Sequence, residues 1–260
     1  MKMIVATQED SAVIPRNIER LLAVEDVSIE LIVTLDSKGA LENRKWYFLK
    51  GFGLRQGIKM ASILLTAKLA DALDALCGYR LLKAKRSVKA LARRNRIPFL
   101  RTTSPNGQAF LDRIRKIAPD LIVSFSAPCV FGADLLAIPK LGCINLHCSR
   151  LPDYAGLLPS FWTLYNGEQR TGATVHYMDT EIDNGAILDQ EDVFIESGMT
   201  MYELIRRTKR KGGELVERTI RALQAGTAQT KKNNRQEGRY FSWPTVEQMI
   251  EFRRRGGRLV

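Results

Sequence analysis

Residues 143–188 read CINLHCSRLPDYAGLLPSFWTLYNGEQRTGATVHYMDTEIDNGAIL. Cys143–His147 is a short, mostly apolar run that suits a strand, and Leu158–Tyr165 after it suits a helix. Ala173–Met178 and Ile187–Ile195 follow as strands with no long helix between them, which predicts an antiparallel or edge extension of a sheet. Toward the N-terminus, Leu121–Phe125 suits a strand buried on both faces, with a helix over Gln108–Ala118 before it. Met3–Thr7, Ser28–Leu35 and Pro98–Arg101 are further strands, set off by helical spacing in Ile14–Ala23 and in the basic Ser87–Asn95. Met201–Ala225 is a long amphipathic helix. Strands alternating with helices in this way predict an α/β fold with a mostly parallel central sheet flanked by helices.

Two segments stand outside that alternation. Residues 41–86 contain a Trp46-Tyr47-Phe48 cluster, three glycines (Gly51, Gly53, Gly57) and a helix from about Ile58 to Leu76. Ile58, Leu65, Leu69, Ala72 and Leu76 share one face of that helix, while Met60, Ile63 and Leu64 make the far side apolar too. That pattern predicts burial on more than one side. The Gly51-x-Gly53-x-x-x-Gly57 run misses the dinucleotide fingerprint by one residue and follows no strand, so no NAD site is expected. After Gly226 comes a basic extension with a KKNNRQ run, an aromatic patch at Tyr240-Phe241-Ser242-Trp243 and a terminal FRRRGGR.

The charge falls on these same segments. Of 260 residues, 40 are Lys or Arg and 28 are Asp or Glu. Residues 41–100 hold 14 basic and 3 acidic side chains, and residues 205–260 hold 15 and 5, while the rest of the chain is acidic. Such asymmetry points to an anionic partner: a phosphate, a nucleic acid or a membrane surface. A hydrophobic content of 45% excludes a disordered chain. The 4 Cys form no CxxC pair and only 2 His are present, so no metal centre or disulfide scaffold is expected. No run of 18 apolar residues occurs, and Glu9-Asp10 comes too early for a signal peptide, so the expectation is a cytoplasmic protein.

Chemistry concentrates at the end of the Cys143–His147 run. Asn145 and His147 stand two apart in a strand and share a face, at the end where α/β sheets bind ligands. Asp183, in a turn before the next strand, can reach the same crevice. An amide donor, an imidazole and a carboxylate suffice for acyl transfer to an amine. They would equally serve as hydrogen-bonded strand-end residues. His176, mid-strand, reads as a structural group, and Cys148 points away from His147 because strand neighbours alternate.

Asn145-x-His147-x-Ser149, Leu151-Pro152-x-Tyr154-x-Gly156 and Asp183-x-Gly185-x-Ile187-Leu188 together resemble the folate-dependent formyltransferases of glycinamide ribonucleotide, methionyl-tRNA and nucleotide sugars. The resemblance covers roughly residues 1–225 and is weak across 41–86. It implies a Rossmann-like catalytic domain over 1–225 with a basic helical insert, and a short extension over 226–260. It also implies formyl transfer from 10-formyltetrahydrofolate to an amine, with Asn145, His147 and Asp183 catalytic and no metal. The folate would lie against the loop SAPCVFGADLL, through Cys129 and Phe131, with Ile182 and Asp183 as the other wall. Ser149, Arg150 and Tyr154 would face the acceptor. Arg150 stands where many relatives carry Leu, which puts a charge beside the site.

The resemblance leaves the acceptor open. A phosphate-bearing small-molecule amine, such as a nucleotide-linked amino sugar, suits PSFWTLYNGE and the basic charge. Methionyl-tRNA is the alternative, although the residues after 225 are expected to be too few for the β-barrel of those enzymes. A third reading is a non-catalytic basic binding module on the same fold. Contact of segment 44–86 with an anionic membrane is compatible with any of these.

Overall fold

The computed structural model describes residues 1–10, 13–36, 41–82 and 87–260, giving the backbone alone over 41–46 and 48–49. Five parallel strands form the body of the sheet: β1 (Lys2–Thr7), β2 (Ser28–Leu35), β3 (Phe99–Thr102), β4 (Leu121–Phe125) and β5 (Cys143–His147). A two-residue strand, β6 (Ala155–Gly156), lies outside that sheet. The antiparallel extension is β7 (Arg170–Tyr177) and β8 (Ile187–Phe194), giving the order β3-β2-β1-β4-β5-β7-β8. The strand order reverses between β1 and β4, so the ligand crevice of such a sheet lies beyond the carboxyl ends of β1, β4 and β5.

Both faces of the sheet are covered, which is why β4 is buried along its whole length and apolar except at Ser124. On one side, Leu146, Val123 and Ile144 pack with Leu215, Val216 and Ile220 of the long helix Met201–Gln224. A capping box of Thr200 and Glu203 starts that helix. On the other side Ile4, Ile122 and Cys143 pack with Leu111 and Ile114 of the helix Gln108–Ile117 and with Leu135. Asn145 and His147 have the parity of Cys143 and therefore face this second side.

The insert and the tail form one body. The helical insert runs from Leu41 to Leu76 and is broken at Gly53, whose φ of 70° and ψ of 164° no side-chain-bearing residue adopts readily. The second helical segment thus starts at Leu54, four residues before the Ile58 expected from the sequence. Residues 83–86 of the insert lie outside the described residues, as do the side chains of Trp46 and Phe48. The C-terminal helix Val246–Arg254 packs against the insert: Phe52 joins Met249, Phe252, Leu259 and Val260 in a third core. Tyr154, Phe161, Trp162 and Met201 of the main domain belong to the same core. A short strand, β9 (Tyr240–Phe241), pairs with β6, and Gln56 Oε1 accepts from the main-chain nitrogen of Leu259 at 2.7 Å.

Burial of the insert on more than one side is overturned. Met60, Ile63 and Ala67 turn inward, but Leu54 is 73% exposed, Leu65 58%, Leu69 56% and Leu76 84%. The third core lies under its inner side alone, and its outer face has no described partner.

Candidate active site

His147 ends β5 and lies directly across the antiparallel pair from Thr174, while Asn145 lies across from His176. This register puts both imidazoles and the amide on one face. The loop after Tyr177 returns over them and brings Asp183 between the two rings. Asp183 Oδ2 is 3.3 Å from His147 Nδ1, and Oδ1 is 3.5 Å from His176 Nε2. The main-chain nitrogen of Gly156 donates to Oδ2 at 2.8 Å. Burial pushes the Asp183 carboxyl up, but His147, the hydrogen bond and charge of His176 and the Gly156 N–H more than reverse this and hold it well below the usual carboxylate range.

The other ring nitrogens are engaged as well. His147 Nε2 donates to the carbonyl of Tyr154 at 2.9 Å. With a carbonyl on one side and a carboxylate on the other, both nitrogens of His147 face oxygen atoms. His176 Nδ1 donates to the carbonyl of Tyr177 at 2.7 Å, and its Nε2, which faces Asp183, lies 3.2 Å from the Asn145 amide nitrogen. His176, read from sequence as structural, is therefore in direct contact with two of the three expected catalytic groups. The cross-strand partner of Asn145 was the signal, and it requires the register of β5 on β7.

The loop that carries the Tyr154 carbonyl is pinned from below. Ser149 Oγ donates to the carbonyls of Asp153 at 3.0 Å and Tyr154 at 3.1 Å, and Thr174 Oγ1 donates to the carbonyl of Ser149 at 2.7 Å. Ser149 is fully buried, so its hydroxyl shapes this loop instead of facing an acceptor. Arg150 likewise departs from expectation: its guanidinium pairs with Asp192 on β8, which Arg170 also reaches at 3.3 Å. Tyr154 is buried, its hydroxyl donates to Glu168 at 2.6 Å, and its ring stacks on Phe241 at 5.1 Å.

The residues expected to line the folate lie in different surroundings. Phe131 is only 1% exposed and packs with Leu111 and Leu135, so it is a core side chain with no face toward the crevice. Cys129 is half-buried against the same core. Val130 and Ile182, by contrast, are exposed aliphatic side chains on the loop after β4 and the loop carrying Asp183. Ser124, the in-register neighbour of Asn145 on β4, has a buried hydroxyl without a hydrogen-bond partner among the described residues.

Asn233, from the basic tail, was not visible as a site residue in the sequence. Its Nδ2 donates to the carbonyls of Asp183 at 2.9 Å and Gly185 at 3.2 Å. An asparagine in a polar, basic run carries no mark of that contact, because its partners lie 50 and 48 residues away.

Comparison with known proteins agrees with this fold and motif set. The "Formyl transferase" family model matches residues 63–220, beginning inside the insert. The methionyl-tRNA formyltransferase of Clostridioides difficile (strain 630) is 36% identical over 153 residues, which is 59% of this chain and 50% of that protein. The bifunctional polymyxin resistance protein ArnA of Wigglesworthia glossinidia brevipalpis is 40% identical over 121 residues, 46% of this chain and 18% of that protein. The chain spans about half the length of the methionyl-tRNA formyltransferases it matches. Among solved structures, the sugar 3N-formyl transferase WlaRD has a TM-score of 0.61 at 17% identity, covering 93% of this chain and 69% of that one. Glycinamide ribonucleotide transformylase 1 from Symbiobacterium toebii has a TM-score of 0.59 at 17% identity, covering 87% and 89%. These two share the fold. With the family model spanning more than half of its length, the chain belongs to the formyl transferase family.

Proposed function

We propose that this chain transfers a formyl group from 10-formyltetrahydrofolate to the primary amine of a phosphate-bearing small molecule, an amino sugar carried on a nucleotide or a similar metabolite. The observation that carries this reading is the placement of Asp183 between His147 and His176, with the Asn145 amide alongside.

The residues present fit the co-substrate. Val130 and Ile182 offer exposed aliphatic surface to a flat heteroaromatic ring, and the orphan Ser124 hydroxyl adds a polar group beside Asn145. When bound, 10-formyltetrahydrofolate supplies the formyl carbon and leaves as tetrahydrofolate once the bond to its nitrogen breaks. The acceptor nitrogen forms the new bond to that carbon. Asn145, whose amide nitrogen lies 3.2 Å from His176 Nε2, offers an N–H to the oxygen that becomes negative during attack. His147, held between Asp183 and the Tyr154 carbonyl, adds positive charge beside it. Asp183, kept ionised, relays the proton that leaves the amine to the departing folate nitrogen.

The acceptor class rests on the rim of the site. The Arg239 guanidinium lies 5.7 Å from the Tyr154 ring centroid, and that of Arg235 lies 5.8 Å from the Tyr240 ring. Both belong to the tail that covers the site, where a phosphate would meet them. Methionyl-tRNA is a second reading, supported by the identity of the curated relatives. An acceptor screen that follows tetrahydrofolate release separates these. Release with amino-sugar nucleotides and none with methionyl-tRNA is the expected result. The converse pattern favours the second reading, and silence on every amine with no folate binding favours a non-catalytic binding module.

A further inference from the structure

The outer face of the insert is a feature that the reaction does not use. Leu54, Ile58, Ala61, Leu65, Leu69, Ala72 and Leu76 recur in steps of three and four and are all exposed. They form one aliphatic stripe about 33 Å long at 1.5 Å per residue. Monomeric soluble proteins rarely leave such a stripe open.

Its border is positive. Arg55 and Lys59 flank one side and Lys68 the other, and all three are exposed. The two acids of the same helix are turned to the protein: Asp71 accepts from Ser87 Oγ at 2.9 Å, and Asp74 is buried and accepts from the main-chain nitrogen of Leu82 at 2.9 Å. On the Lys59 side the positive border continues. A cavity of about 370 Å³ there is lined by Arg206, Arg207, Arg210 and Arg258 together with Glu196 and Glu203. Lys59 and Arg258 both lie near Glu203, whose carboxyl is held below its ordinary range first by its bonds to Thr200 and then by these two cations.

We propose that the helical segment Leu54–Leu76 docks this protein on a membrane surface rich in anionic lipid, with the aliphatic stripe among the acyl chains and the Arg and Lys border on the headgroup phosphates. An aliphatic stripe between basic flanks is the form of a helix lying in the interface plane. No helix among the described residues is long and apolar enough to cross a membrane. A second copy of the chain fits less well, because two such helices would bring Arg55, Lys59 and Lys68 against one another, while Asp71 and Asp74 of the same helical segment are turned to the protein. RNA would be served by the cations but not by the aliphatic stripe, which offers it no stacking surface. The inner face of this helix shares a core with Tyr154, so docking holds the candidate active site beside the headgroup layer. The proposal stands apart from the identity of the reaction.

Co-sedimentation of the full chain with vesicles tests it. The chain is expected to partition onto vesicles of phosphatidylglycerol and phosphatidylcholine in equal parts, to lose binding as salt rises, and to bind phosphatidylcholine vesicles far less. The exposed double variant Leu65→Glu/Leu69→Glu is expected to bind about tenfold more weakly or worse, with its thermal midpoint unchanged. The triple variant Arg55→Ala/Lys59→Ala/Lys68→Ala is expected to lose about fivefold per charge removed. Absence of wild-type binding to either vesicle, or double-variant binding equal to wild type, overturns the proposal. So does self-association that the double variant abolishes without any vesicle binding. Binding to tRNA in place of vesicles, lost in the triple variant, overturns it as well.

Discussion

The side-chain amide of Asn233 donates to the carbonyl of Asp183 at 2.9 Å, so a residue of the basic tail fixes the peptide that presents the acid to His147. Asp183 has a φ of 52°, a left-handed conformation that a non-glycine residue holds only when its surroundings impose it. Asn233 and the Gly156 N–H are two such constraints, and both come from outside the loop itself.

Asn233→Ala leaves the carbonyls of Asp183 and Gly185 without this donor, a loss of about 1–3 kcal/mol if they stay dry. The folded protein is expected to persist, with kcat for formyl transfer reduced about tenfold because the acid is less well placed. A steady-state comparison with folate affinity measured in parallel checks this. Unchanged kcat would show that the tail only covers the site.

The acid response of stability follows from Asp183. Its carboxyl lies lower in the folded chain than the ordinary value of 3.8, so its ionised form favours folding. That contribution is complete above about pH 4 and is lost as pH falls further, through the folded value. The advantage of wild type over Asp183→Asn in urea midpoint is therefore expected to shrink as pH falls below about 4. An advantage that stays unchanged through that fall contradicts the assignment of His147, His176 and Gly156 as the groups that stabilise the carboxylate.

Much of this arrangement was legible in the sequence, for physical reasons. The apolar run Leu121–Phe125 marks a strand covered on both faces, and the spacing of Asn145 and His147 fixes their common side. Interactions between distant segments were not legible. His176 joins the site through register, Asn233 through a tail contact, and Ser149 is spent on its own loop. The insert misled for a different reason: a helix apolar on two sides suggests burial on two, yet only one side has protein beneath it.

Thiol chemistry is expected to stay away from the site. Burial pushes the Cys129 thiol up to about 11 and Cys143 up to about 12, while Cys77 is exposed. Stoichiometric iodoacetamide is expected to alkylate Cys77 first and leave formyl transfer intact. Mapping by mass spectrometry shows which thiol reacts, and inactivation that tracks with Cys148 would contradict the placement of that residue on the face opposite His147.

Gly156 couples the site to the tail. Its φ is 98°, and a Cβ there would sit 2.2 Å from the carbonyl oxygen of Phe241. Gly156→Ala is expected to separate β6 from β9, displace the N–H that Asp183 accepts, and cost roughly 2 kcal/mol or more. Chemical denaturation reads the stability and a transfer assay reads the displacement. A variant that keeps both would mean that the tail strand is not held there in solution.

The most direct test is the single-turnover rate of formyl transfer from 10-formyltetrahydrofolate to an accepted amine, measured for wild type, Asn145→Ala, His147→Ala and Asp183→Asn at saturating folate. Each variant is expected to remain folded, to bind folate, and to transfer about 100- to 1000-fold more slowly. Near-normal transfer in His147→Ala would contradict the proposed chemistry at its centre.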